Sequence, residues 1–201
     1  MNPSAAAVRT GANKEKRRQE LVLAAFDLIA EHGFEGLRTR DVAARVGVNI
    51  ATLHYYFPTK ESLIRGVLEH AMERFRTTLA PHGLPSDQLR NHLRAVNKLL
   101  AEEPELGSVM AELALRSARD KSIAAIMAEM YEAWHATLRG LLRRAVKEGN
   151  HRPELDSDGV AALVMATLTA LMTAAPRSDQ ALRQLERWLG VTGTKSTISS
   201  N

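Results

Sequence analysis

Residues 39–60 read TRDVAARVGVNIATLHYYFPTK, and their punctuation decides the fold. Thr39 is placed to cap a short helix, Asp41 sits in its first turn, and Val42, Ala43 and Val46 form its inner face. Gly47 stops that helix and Asn49 caps another of about six residues. Phe57-Pro58 then breaks the chain, because the residue before a proline avoids the helical region. Two short helices around a glycine turn make a helix-turn-helix. The second is too short to build a core. Leu53 is its inward residue, while Ile50, Ala51, Thr52, His54 and Tyr55 remain outward. Small residues in its first turn allow the backbone close to base edges in a major groove. Thr39, Tyr55, Tyr56 and Lys60 offer hydroxyls and an ammonium suited to phosphates. An ordinary helical hairpin with surface tyrosines shares the same outline.

Outward from this stretch, the apolar spacing stays helical. Before it, from Lys14 to His32, Leu21, Ala25 and Leu28 run along one face with Val22, Phe26 and Ile29 beside them. Gly33 supplies a left-handed end and Phe34 folds back onto the last turn. After it, Thr59 caps a long helix carrying Leu63, Val67, Ala71, Phe75 and Leu79. Beyond a loop from Pro81 to Pro85, Ser86 starts a helix with Leu89, Leu93, Val96 and Leu100 on one face, and Pro104 stands in the first turn of the next. Asp120 caps a helix with Ile123, Met127, Met130, Trp134, Leu138, Leu141 and Ala145, which Gly149-Asn150 ends. Asp156 opens an Ala/Leu/Met helix, and Ser178 opens a last one with Leu182, Leu185 and Leu189. The expected fold is all-α, with about nine helices and no strands. Its expected parts are a loose tail over 1–12, a three-helix helix-turn-helix domain over 13–60, a helical domain over 61–190 and a disordered tail over 191–201.

Composition narrows the function. Of 201 residues, 45% are hydrophobic and 25% charged, the balance of a soluble globular chain with a real core. Cysteine is absent, which excludes thiol catalysis, disulfides and cysteine-ligated zinc. The net charge is +4, and residues 1–60 hold nine Lys and Arg against six Asp and Glu, so most of the excess lies there. A basic N-terminal module beside a nearly neutral body suits a polyanion. The start of the chain has no apolar run of signal-peptide length. The uncharged stretch Gly159 to Pro176 is interrupted by Thr167, Thr169 and Thr173, so it reads as a buried interface helix rather than a membrane span. No two of the seven histidines lie closer than ten residues, and the nucleophile-elbow and phosphate-loop signatures are missing. An enzyme is therefore not expected, nor any metal or cofactor.

From Gly33 to Leu63, GFEGLRTRDVAARVGVNIATLHYYFPTKESL resembles the TetR family of bacterial transcriptional repressors. The helix before it fits as well, and the rest of the chain fits in the number, length and order of its helices. The resemblance implies an N-terminal DNA-binding domain and a C-terminal domain for ligand binding and dimerisation. Position by position, it implies DNA contacts from Thr39, Arg40, Asn49, Ile50, Ala51, Thr52, His54, Tyr55, Tyr56 and Lys60. His54 stands where tyrosine is usual, and Ala51 replaces a frequent glycine. Lys14, Lys16, Arg17 and Arg18 are read equally as phosphate or minor-groove contacts and as a solvated tail. Met110, Leu113, Met127, Met130, Tyr131 and Trp134 fall on helices that surround an effector cavity in this family. Each taken singly also reads as core packing, since methionine fills gaps. Val164, Leu168, Leu171, Leu182, Leu185 and Leu189 are the implied dimer interface. The expectation is a cytoplasmic homodimeric repressor on a palindromic double-stranded operator, released by a largely apolar small-molecule effector. A ligand-independent helical DNA-architectural protein is the alternative.

Overall fold

Most of the apolar stripe residues read above are buried along one side of a helix; Phe26, Val46 and Leu100 are half-buried, and Leu79 lies past the end of its helix at Arg76. The computed structural model describes residues 3–79, 83–148 and 156–189, and among these are nine helices and no strand. They are α1 (Pro3–Gly36), α2 (Thr39–Val46), α3 (Ile50–Tyr56), α4 (Lys60–Arg76), α5 (Pro85–Glu102), α6 (Pro104–Ser117), α7 (Lys121–Lys147), α8 (Ser157–Met172) and α9 (Ser178–Trp188). No helix among the described residues is long and apolar enough to cross a membrane. The end expected at Gly149-Asn150 and the tail over 191–201 lie outside the described residues.

Side-chain capping explains four of the nine helix starts. Asn49 Oδ1 accepts from the Thr52 N–H at 2.8 Å. Thr59 Oγ1 accepts from Ser62 N–H at 3.1 Å, while Ser62 Oγ reciprocates toward Thr59 N–H at 3.2 Å. Asp120 serves Ser122 and Ile123, and Asp156 serves Asp158. Each satisfies N–H groups that the first helical turn leaves without intrahelical partners. Thr39 departs from this pattern. It is the first residue of α2, and Arg38, extended at φ −117°, takes the cap position with no side-chain hydrogen bond. The Arg38 carbonyl accepts the first two helical bonds, from Asp41 and Val42, which places Thr39 one residue too late to cap. A second departure is α1, which is helical from Pro3 where a loose tail over 1–12 is expected. Its Ala-rich start adds turns to a helix already nucleated, and proline fits a helix's first turn. Gly33 takes φ 70° and ψ 175°, non-helical values that interrupt α1 and leave a short second helical piece up to Gly36.

The chain divides into two compact units. One comprises Met1–Arg74 with Ser108–Glu129, and the other Phe75–Gly107 with Met130–Asn201. In the first, α1 packs on α2 and α2 on α3. Leu21, Ile29, Val42, Leu53, Leu63, Ile64, Val109 and Leu113 are its most deeply buried side chains, joined by Phe57. In the second, α8 packs on α9, and α5 packs on both. Leu89, Leu93, Val96, Leu138, Leu142, Val164 and Leu168 are fully buried there.

Gly66 of α4 is where the first unit is tightest. A Cβ added there would meet Val22 Cγ2 at 2.9 Å and Phe57 Cε1 at 3.3 Å. Gly66→Ala gains about 1 kcal/mol of helix propensity and incurs overpacking of about 1–3 kcal/mol. Neither neighbour is the end of a flexible side chain, so the second effect wins. The melting temperature of Gly66→Ala is expected to fall by several degrees, and a rise would show that α4 can shift without cost.

Candidate nucleic-acid interface

The turn between α2 and α3 follows from Gly47. Its φ of 71° and ψ of 32° are left-handed, a conformation that side chains with a Cβ rarely adopt. It lets the Val48 N–H reach the Ala43 carbonyl at 2.9 Å, closing the end of α2. Asn49 restarts the helix at once. α2 is held to α1 by the Arg45 guanidinium, which meets both oxygens of Glu31, one at 2.9 Å. The pairing pulls the Glu31 carboxyl below its usual pKa, chiefly through that hydrogen bond.

α3 contributes a single buried side chain, Leu53. Asn49, Ala51, His54 and Tyr55 are exposed, and Ile50, Thr52 and Tyr56 are half-buried. The Thr52 hydroxyl donates to Asn49 Oδ1 at 3.0 Å, which leaves its own lone pairs and methyl group to meet a ligand. Tyr55 and Tyr56 sit edge to face, centroids 5.1 Å apart.

Two grooves flank this helix. One, of about 580 Å³, brings together Thr39, Arg40, His54 and Lys60 from the sequence-predicted set. Arg38, Asp41 and Thr59 line it too. Arg38 has no expected role in the sequence, where Thr39 reads as the cap and Arg38 falls outside the helix. The other groove takes Tyr55 and Tyr56 from α3 and faces α1.

Lys60 is half-buried. Its ammonium lies 4.5 Å from the Phe34 ring centroid, and the Arg116 guanidinium lies 5.1 Å from the same ring. Partial burial lowers the Lys60 pKa from the ordinary lysine value, opposed in part by the Glu35 carboxylate and aided by the Arg116 charge. Phe34 is itself fixed, since its N–H donates to Glu112 Oε2 at 3.0 Å.

The other predicted residues divide differently. Met110, Leu113 and Met127 are buried in the first unit. Met130 and Trp134 are buried in the second, where Tyr131 is half-buried. Trp134 is engaged by its own unit: its N–H donates to His92 Nε2 at 3.3 Å, and its ring stacks on Phe75. The implied dimer set lies mostly inside the single chain. Val164, Leu168, Leu182, Leu185 and Leu189 are at most 4% exposed within the single chain, so they already serve its own core. Only Leu171 is partly open. The apolar groups α8 and α9 leave outside include Leu163, 41% exposed, and Trp188, 73% exposed.

A short helix bearing one core residue and two flanking grooves, behind a glycine turn, has the geometry of a helix-turn-helix. Residues 21–67 match the model of the bacterial regulatory proteins of the tetR family, and residues 79–189 that of the tetracyclin repressor-like C-terminal domain. The chain belongs to the TetR family of DNA-binding transcriptional regulators. Over 175 residues it is 27% identical to the nucleoid occlusion factor SlmA of Photobacterium profundum, covering 84% of this chain and 88% of that protein. Over 124 residues it is 26% identical to the HTH-type transcriptional repressor Rv1353c of Mycobacterium tuberculosis, covering 56% of this chain and 48% of that protein. The crystal structure of a TetR transcriptional regulator from Chloroflexus aurantiacus matches with a TM-score of 0.74 at 25% identity. That match covers 89% of this chain and 96% of the other.

Proposed function

We propose that this chain is a cytoplasmic homodimeric repressor that reads a palindromic operator with α3 and is released by a small, largely apolar effector. The carrying observation is α3 itself, which gives only Leu53 to the core. Ile50, Ala51 and Thr52 then face base edges, where Ile50 suits a thymine methyl. Thr39, Arg40, Asn49, His54, Tyr55, Tyr56 and Lys60 hold the backbone or neighbouring edges. In a symmetric dimer the two α3 helices enter successive major grooves about 34–36 Å apart. The apolar groups outside α8 and α9, Leu163 and Trp188 among them, support an interface with a second copy. Met110, Leu113, Met127, Met130, Tyr131 and Trp134 are the candidate effector contacts. An effector that prefers one spacing of the α3 helices shifts operator affinity by its differential binding to the two states. The ligand-independent alternative draws support from one observation, the likeness over most of the chain to a protein named a nucleoid occlusion factor.

Selection from random DNA tests the proposal. An enriched palindrome is the expected result, and enrichment of no sequence overturns it. On that palindrome, Lys60→Ala is expected to weaken binding broadly and to flatten the salt dependence by about one phosphate contact per subunit. Thr52→Ala should instead change which base is preferred, with little change in salt slope. Equal effects of both variants on preference and slope would remove the division between reading and anchoring.

A further inference from the structure

The Lys60 ammonium sits among charges that compete with a phosphate for it. The carboxylates of Glu35, Glu61 and Asp120 act on it, yet it forms no ion pair among the described residues. Glu61 follows Lys60 in α4, and adjacent helical residues do not face each other. Glu35 and Asp120 are held by one residue of α6. Arg116 Nη1 meets Glu35 Oε1 at 2.7 Å, and Arg116 Nη2 meets Asp120 Oδ2 at 3.5 Å. A guanidinium fork holds two carboxylates at once, which a point-like ammonium does poorly. Asp120 has a second restraint, since its Oδ1 accepts from the Ser122 and Ile123 N–H groups at 3.0 and 3.3 Å. Glu35 has none. Its side chain is 84% exposed, and Arg116 is its one hydrogen-bond partner among the described residues.

We propose that Arg116 is a positioning residue for DNA binding: it keeps Glu35 and Asp120 off Lys60, so that the Lys60 ammonium stays free for a phosphate. The inference rests on the reading of Lys60 as a phosphate anchor. Charge balance around Phe34 explains the need. Two cations lie over that ring and two carboxylates act on them, so removing the guanidinium leaves both carboxylates to one ammonium. Partial burial strengthens the attraction, because water and salt screen it less there. Glu35, near the end of α1, is then free to swing to Lys60, since no other hydrogen bond restrains it. Lys60 gains an internal anion in place of the phosphate, and DNA has to break that pair before it can bind. Arg116 acts on DNA only through Lys60.

The test measures affinity of the full-length protein for the palindrome enriched from random DNA, over a range of salt. Lys60→Ala sets the scale, a slope of log affinity against log salt flattened by about one contact per subunit. Arg116→Met keeps an unbranched apolar stem, and is expected to flatten the slope as much and to weaken binding about tenfold. Adding Glu35→Gln to Arg116→Met should restore slope and affinity to within about twofold of wild type, because the freed carboxylate is gone. Adding Arg116→Met to Lys60→Ala should cost nothing further, since both act through one ammonium. Unchanged binding by Arg116→Met overturns the inference, because Arg119, which lines the same groove as Glu35, then takes over the carboxylate. A loss that Glu35→Gln does not reverse also overturns it, since Arg116 would then only hold the fold. So does a further loss in the Lys60→Ala background, which would show Arg116 acting by its own charge. An unchanged slope in Lys60→Ala is a separate result: it removes Lys60 as an anchor, and this inference with it.

Discussion

Leu168→Arg is expected to unfold the second unit rather than to separate a pair of folded subunits. Leu168 is 0% exposed on α8, the helix against which both α5 and α9 pack. Arginine there places an unpaired charge among apolar side chains, at a cost of about 4 kcal/mol or more. Set against total stabilities of roughly 5–15 kcal/mol, that removes much of what holds a domain folded. Leu163→Arg lies on the same helix, 41% exposed, and its charge can reach water in a single subunit. It should keep wild-type helical circular dichroism and melting behaviour while sedimenting as a monomer at micromolar concentration. Insoluble or partly melted Leu168→Arg beside a folded Leu163→Arg monomer is the expected pair of results. A folded, monomeric Leu168→Arg would return Leu168 to the subunit interface, and a dimeric Leu163→Arg would move the interface off this face of α8.

The contrast between those two leucines shows where the sequence becomes silent. Helix starts are legible because a cap is a local event: Asn49, Thr59, Asp120 and Asp156 each sit two or three residues before the N–H they accept. The inner faces of α1, α4 and α5 are legible because charged residues mark the opposite side. α8 has no such mark. From Val160 to Met172 it holds only Ala, Val, Leu, Met and Thr, so the residues that belong to the subunit's own core cannot be told from those left outside. The open face of α3 is legible for the opposite reason, since α3 is too short to bury more than Leu53. Contacts between distant residues were not. Lys14 beside Tyr55 and Glu112 beneath Phe34 join residues whose spacing carries no periodic signal.

The same holds for the buried polar chain around His92, whose removal is expected to be costly and pH-dependent. Trp134 Nε1–H donates to His92 Nε2, so Nδ1 carries the ring proton and donates to Thr78 Oγ1 at 2.7 Å. The Thr78 hydroxyl then donates to the Phe75 carbonyl at 2.6 Å, and the Phe75 ring stacks on Trp134 at 5.9 Å. His92 is 0% exposed, and burial lowers its pKa from 6.5 to about 4, opposed only in part by the hydrogen bond with Thr78. Above pH 6.5 the folded and unfolded chains both hold it neutral. Below that, the unfolded chain takes up a proton that the folded chain refuses until about pH 4. Stability should therefore fall with pH across this window, by up to roughly 3 kcal/mol from this one group. His92→Gln should lose that dependence, visible as a smaller gap between urea midpoints at pH 7 and pH 4.5 than in wild type. Trp134→Ala removes the stack and the donor together and should cost about 3–5 kcal/mol at pH 7. Trp134→Phe keeps an aromatic ring beside Phe75 and should cost only about 1–3 kcal/mol, for the acceptor left without a partner. If Trp134→Ala instead melts like wild type, the ring is not packing the unit, and its place among the candidate effector contacts becomes the better account.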